Sequence, residues 1–206
     1  MQYPKSERIV TPMTKCLWAQ LDKPNTKFDK DGSYEIELIF DPKDAVHNQF
    51  LQNLKSIHSQ AKNLLAANKK TCQLYPWKKH TDIETEQNTG EIAIRFKTSF
   101  KPFVADARGN AWPEGSLIGN GSMVRVSFVW TAYEGFGGGA KLYLAGVQVL
   151  DLVSYTGGTL EDFGFEVEEG FDVAQHYDQG TNPESTIFND NPDNTSPSIP
   201  EDYIPF

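Results

Sequence analysis

The six residues Tyr75–His80 read YPWKKH, two rings, two lysines and a histidine around a proline. Interleaved rings and ammonium groups can hold a single strand of nucleic acid. The cations follow the phosphates, and the rings stack on unpaired bases at roughly 1–3 kcal/mol each. The same mixture recurs along the chain. Trp18, Arg95, Lys97, Arg125, Tyr133, Lys141 and Tyr143 fall at outward positions of alternating segments, and Phe100, Lys101, Phe103, Arg108, Trp112 and Phe136 fall between such segments. Any one ring is explained as well by a strand surface or a second small core. The set, with Tyr75, Trp77, Lys78 and Lys79 crowded into one expected loop, favours binding.

Other chemistry finds little support. YEGFGGGAKLYL (Tyr133–Leu144) has the glycines of a phosphate-binding loop, but no Ser or Thr follows Lys141 and a strand pattern, not a helix, comes next. The run reads instead as a flexible glycine-rich hairpin at Gly137–Gly139, flanked by Phe136 and Lys141. The four histidines and two cysteines lack metal-ligand spacing, and no nucleophile elbow or zincin motif is present. No enzyme activity, metal or cofactor is expected.

Charge is divided unevenly. All 19 lysines and arginines lie between Lys5 and Lys141, whereas 12 of the 28 acids lie in residues 157–206. A weakly basic body therefore carries a polyanionic tail, an asymmetry that points to nucleic acid. Two unpaired cysteines, no apolar leader in MQYPKSERIV and no long apolar run predict a reduced, soluble, intracellular protein with no membrane partner.

The elements that must position these residues are legible from periodicity. Thr14–Asp22 alternates, with Leu17, Ala19 and Leu21 on one face and Cys16, Trp18 and Gln20 on the other. Ser33–Phe40 turns Tyr34, Ile36, Leu38 and Phe40 inward and Glu35 and Glu37 outward. Glu91–Ser99, Ser122–Tyr133 and Lys141–Leu152 repeat the pattern, with a bulge expected at Gly146, where the faces would swap. Between the second and third strands, Val46, Phe50, Leu54, Ile57, Ala61 and Leu64 form one helical stripe. This predicts a helix over about 43–68, capped by Asp41, with Pro42 at the first helical position and Asp44 in the first turn. The fold expected is all-β with an inserted helix: an OB-like five-stranded barrel over residues 1–165, with a short extra strand possible in Phe100–Trp112. Residues 166–206 form an acidic tail. From Asp178 it lacks the apolar area to offset ordering entropy, so it is expected to be largely disordered.

The stretch RFKTSFKPFVADARGNAW (Arg95–Trp112), continued by GNGSMVRVSFVWTAYEGFGGGAKLYLAGVQVLDL (Gly119–Leu152), resembles the core of the tailed-phage single-stranded DNA-binding proteins. The resemblance rests on Lys101-Pro102 with Asp106 following, Gly121 before the fourth strand, and the glycine-rich turn leading into LAGVQVL. It implies an OB-fold, helix-destabilising protein that coats and protects single-stranded DNA in replication, recombination and repair in the cytoplasm of an infected bacterial host. The chain's end, Glu201, Asp202, Tyr203, Ile204, Pro205 and Phe206, is similar to the acidic tip of bacterial single-stranded DNA-binding proteins, with Tyr203 where a third acid is common. That similarity implies recruitment of replication or repair proteins. In physical terms, a basic rim would take the two acids and the α-carboxylate while a pocket takes the Phe206 ring. Single-stranded RNA remains a rival ligand, since stacking does not sense the 2′-hydroxyl. A structural virion β-protein with a docking tail is the rival of another class.

Overall fold

The computed structural model describes residues 3–27, 30–82 and 84–154, with 164, 166, 168 and 169 beyond them. Contacts divide the chain into Met1–Gly157 and Gly158–Phe206, and the fold below is that of the first unit. The expected disorder from Asp178 and the tip Glu201–Phe206 lie outside the described residues.

In chain order the elements are β1 (Ile9–Val10), β2 (Thr14–Asn25), β3 (Ser33–Phe40), α1 (Ala45–Ala67), β4 (Lys78–Thr81), β5 (Asn88–Thr98), β6 (Phe103–Ala105), β7 (Met123–Tyr133) and β8 (Gly139–Asp151). Strands β2, β3 and β5 pair antiparallel in sequence, and β5 then meets β8 in parallel, Lys97 opposite Tyr143. Strand β8 pairs antiparallel with β7, and β7 returns to β2 through Val124–Thr14 and Met123–Lys15. The circuit β2-β3-β5-β8-β7 closes the expected OB-like barrel, and closure removes the open edges that five strands would otherwise present. Ile36, Leu38, Phe40, Ile94, Phe96, Val124, Val126 and Phe128 fill it and are wholly buried. Fully burying such side chains stabilises by about 1.5–3 kcal/mol each. Helix α1 lies across the barrel, with Phe50 stacked on Phe40 at 4.9 Å and edge-on to Phe128 at 6.3 Å.

Several local expectations are corrected. The cap of α1 is Asp44, not Asp41: its Oδ1 accepts the backbone N–H groups of Val46 and His47 at 2.9 and 2.8 Å. Asp41 serves the preceding turn, accepting from the Lys43 N–H at 2.8 Å. The buried stripe runs Phe50, Leu54, Ile57, Ala61 and Leu65, with Leu51 and His58 beside it, whereas Val46 and Leu64 face solvent. The 3.6-residue period drifts past a strict 3–4 count by the last turn. At the C-terminus, Lys69 takes a left-handed φ of 57° while its N–H and that of Lys70 donate to the Ala66 and Leu65 carbonyls. This is a Schellman closure made without glycine.

Strand β2 does not alternate cleanly. Thr14 and Cys16 point inward, Trp18 has φ 53°, the register with β3 shifts between Leu17 and Gln20, and Leu21 then points inward. A bulge at Trp18 has swapped the faces. The expected swap at Gly146 is present, because Ser127 opposes Gly146 while Phe128 opposes Leu144, leaving Ala145 unpaired. A side chain at 146 would come within 3.1 Å of the Phe103 carbonyl, so glycine lets β6 lie close. Strand β6 is the short strand anticipated within Phe100–Trp112. Strands β1 and β4 are too short for any period to announce.

Candidate nucleic-acid interface

Tyr143 lies on the outer face of β8, in a row running Glu35, Lys97, Tyr143, Val129 across β3, β5, β8 and β7. Lys5 Nζ stands 4.9 Å from its ring centroid and Lys141 Nζ 4.8 Å. Lys5 comes from a segment with no predicted structure. The stretch Tyr3–Thr11 is laced along β7: Ser6 N–H donates to the Trp130 carbonyl and Thr11 N–H to that of Val126, both at 2.9 Å. The Thr131 hydroxyl returns a bond to the Tyr3 carbonyl at 3.1 Å. Lys5 and Arg8 join Phe100, Lys101 and Tyr143 around a hollow of about 280 Å3. Phe100 is 79% exposed there. Past the Gly146 bulge, Arg125 and the exposed Phe103 line a second hollow with Val10 and Gln148. Among the described residues, none of Lys5, Arg8, Lys97, Arg125 and Lys141 is ion-paired.

A second group of rings sits two residues along β5. Tyr75, Trp77, Lys78 and Arg95 surround a hollow floored by Ala93. Lys78 and Lys79 belong to β4 rather than to the loop expected of them, paired with Ala93 and Ile92. The Tyr75 ring stacks on His58 of α1 at 4.5 Å and lies 5.1 Å from Trp77, which is half-buried against the core. Glu37, expected to face solvent, is buried beneath two cations: Lys78 Nζ at 3.0 Å and Arg95 NH2 at 3.1 Å. Arg95 and Lys78 are thus already paired within the protein. Burial of His58 holds its imidazole below the ordinary value, and the Lys62 charge adds to the effect.

A third cluster surrounds an apolar pocket lined by Leu21, Pro102, Phe103, Trp112 and Leu117. Trp112 is half-buried and its indole N–H donates to the Ser116 carbonyl at 3.1 Å. Lys101 bridges Glu114 at 3.2 Å and Asp22 at 4.0 Å on the rim; the Glu114 contact holds its ammonium above its usual value. Trp18 is half-exposed, its backbone N–H held by the Asn120 side chain at 2.8 Å. Trp18 and Arg108 line none of these hollows. Tyr133 is half-buried and shares a hollow with Tyr3, Lys5, Glu134 and Tyr143.

The glycine-rich hairpin differs from expectation. It is fastened to the segment after α1: the Gln73 N–H donates to the Gly137 carbonyl at 2.9 Å, the Leu74 N–H to that of Gly138 at 3.0 Å, and the Thr71 hydroxyl to Gly137 at 3.2 Å. A side chain at 138 would sit 2.1 Å from the Thr71 carbonyl. The glycines serve close approach, not flexibility.

The sequence reading missed Lys5, Arg8 and His58. His58 carried a signal, since it falls one helical turn after the buried Leu54. Lys5 and Arg8 carried none, because they precede the two-residue β1 in a segment outside any helix or strand.

No protein-family profile and no curated protein sequence matches the chain. Solved structures do match. The fold is similar to that of gp2.5, a single-stranded DNA-binding protein encoded by bacteriophage T7, with a TM-score of 0.61 at 20% identity, covering 83% of this chain and 100% of that one. It is similar also to the single-stranded DNA-binding protein from bacteriophage Enc34 in complex with single-stranded DNA, with a TM-score of 0.55 at 19% identity over 72% of this chain and 89% of that one. What this chain shares with these phage proteins, at such identities, is the fold: a closed OB-like barrel with one long helix.

Proposed function

We propose that the chain is a sequence-independent single-stranded DNA-binding protein. The observation that carries this reading is the Tyr143 ring with two ammonium groups over it, Lys97 beside it, and Phe100 and Lys101 across the adjoining hollow. A base stacks on the ring in place of an ammonium group, and the flexible side chains of Lys5 and Lys141 swing to the flanking phosphates beside Lys97. Stacking accepts every base, so no sequence is read. The second ring group, Tyr75 and Trp77, extends the path across β5. The two phage proteins of the same fold bind single-stranded DNA, which favours DNA over RNA. The biological setting that fits is coating and protection of single strands in phage replication, recombination or repair, in the cytoplasm of the infected host.

The test is a titration with oligo-dT and oligo-U, followed by tryptophan fluorescence. Quenching by oligo-dT is expected, with affinity falling by about 0.7 log unit per phosphate contact for each log unit of salt. No binding at low ionic strength, even with residues 178–206 removed, would end the reading.

The tail completes the proposal. The 12 acids of residues 157–206, tethered to a cationic surface, imitate nucleic acid at high local concentration. DNA displaces it and frees Glu201–Phe206 for partner proteins. Deleting residues 178–206 then tightens oligo-dT binding; unchanged or weaker affinity counts against it.

A further inference from the structure

Residues Gly135–Gly139 read GFGGG and carry a single side chain, that of Phe136. Its ring is 99% exposed. A lone apolar residue on a surface is ordinary, but this one is mounted unusually. Phe136 has φ 51°, in the left-handed region that side chains other than those of Gly and Asn seldom occupy. The Gly138 N–H closes the turn around it by donating to the Gly135 carbonyl at 2.9 Å. Thr71, Gln73 and Leu74 hold the backbone from one side, and the preceding Glu134 is tied to Lys70 at 3.2 Å and to the Tyr3 hydroxyl at 3.1 Å. The result is a narrow backbone blade, fixed at its base, that projects one flat ring into solvent.

The blade stands at one end of the proposed DNA path. Tyr133, the last residue of β7, and Tyr143 line one hollow with Lys5 and Glu134, so a strand running over Tyr143 toward the hairpin arrives at the foot of Phe136. Apolar side chains of this kind enter between base steps and unstack them, and the glycines around Phe136 leave no other side chain of the hairpin itself in the way.

We infer that Phe136 is a strand-separating wedge: at a junction between single- and double-stranded DNA its ring stacks on the terminal base pair and parts the strands, one of which enters the Tyr143 path. This rests on the single-strand reading above and assigns to one side chain an active part in the helix destabilisation that the resemblance implies. Trapping of strands that open spontaneously needs only the groove; active parting needs the ring.

The experiment uses the full chain and two substrates, oligo-dT and a forked duplex carrying a fluorophore and quencher at the junction. Relative to the native chain, the Phe136→Ala variant is expected to lose at least tenfold more in fork-opening rate than in oligo-dT affinity, while Phe136→Trp retains opening. The wedge is overturned if the Ala variant opens the fork at the native rate, or if opening and oligo-dT affinity fall by the same factor, which makes the ring one more stacking contact. It is overturned also if the native chain binds oligo-dT and leaves the fork closed, an outcome that spares the single-strand reading. Failure of the native chain to bind oligo-dT removes both.

Discussion

Lys5 reaches over Tyr143, its ammonium 4.9 Å from the ring centroid, although the two residues sit at opposite ends of the barrel sequence. The contact depends on the hydrogen bonds that lay Tyr3–Thr11 along β7. It makes Tyr143 a ring with a cation held over it, which a stacking base would displace toward its own phosphate. Tyr143→Ala should weaken oligo-dT binding about tenfold, since one base stack is worth roughly 1–3 kcal/mol. Lys5→Gln should weaken it less and flatten the salt dependence by about one phosphate equivalent. Equal salt slopes for Lys5→Gln and the native chain would remove Lys5 from the phosphate path.

Glu37 holds two of the candidate cations, Lys78 at 3.0 Å and Arg95 at 3.1 Å. Glu37→Gln keeps the side-chain shape, releases Lys78 toward solvent and leaves Arg95 with only Glu35, at 3.9 Å. Oligo-dT affinity at low salt is expected to rise about three- to tenfold, with a steeper salt slope, while stability falls by about 1–3 kcal/mol through lost charged hydrogen bonds. The paired result separates a binding role for Lys78 and Arg95 from a structural one. Lower stability with unchanged affinity would assign them to the fold alone.

His58 is buried between Tyr75, Trp77 and the Cys72 thiol, whose Sγ lies 3.9 Å from Nδ1, with Lys62 on the same helix. Its folded-state pKa is depressed, by burial first and by Lys62 second. The stability this gives is present above the unfolded histidine value of about 6.5 and is lost as pH falls through the folded value. Against a His58→Phe variant, which keeps a ring against Tyr75, the native chain should lose melting temperature faster between pH 7 and pH 5. Parallel melting curves across that range would show that His58 is not linked to folding.

The two thiols should differ in reactivity. Cys16 is fully buried inside the barrel and its pKa is pushed up to about 11 by burial. Cys72 is half-buried, and burial raises its pKa too. A thiol reagent should label Cys72 slowly in the folded chain and reach Cys16 only after denaturation, because the thiolate is the reacting form. Labelling of both at one rate without denaturant would contradict the barrel assignment of β2.

The alternation of Ile36, Leu38 and Phe40 and of Val124, Val126 and Phe128 was enough to reveal the barrel strands, and the spacing of Phe50, Leu54, Ile57 and Ala61 the helix. Burial on one side of an element imprints its period on the residues themselves. Even the face swap at Gly146 was legible, because only glycine there lets β6 approach. The swap at Trp18 was not, since nothing in its neighbours marks a residue at positive φ. Nor did local pattern show that Glu37 lies under Lys78 and Arg95, that Thr71–Leu74 clamp the glycine hairpin, or that Lys5 and Arg8 lie beside Tyr143. Periodicity reports which face of an element is buried. Which distant segments then meet on the outside is decided by barrel closure and by the backbone hydrogen bonds of segments too short to have a period, and these exist only in the tertiary structure.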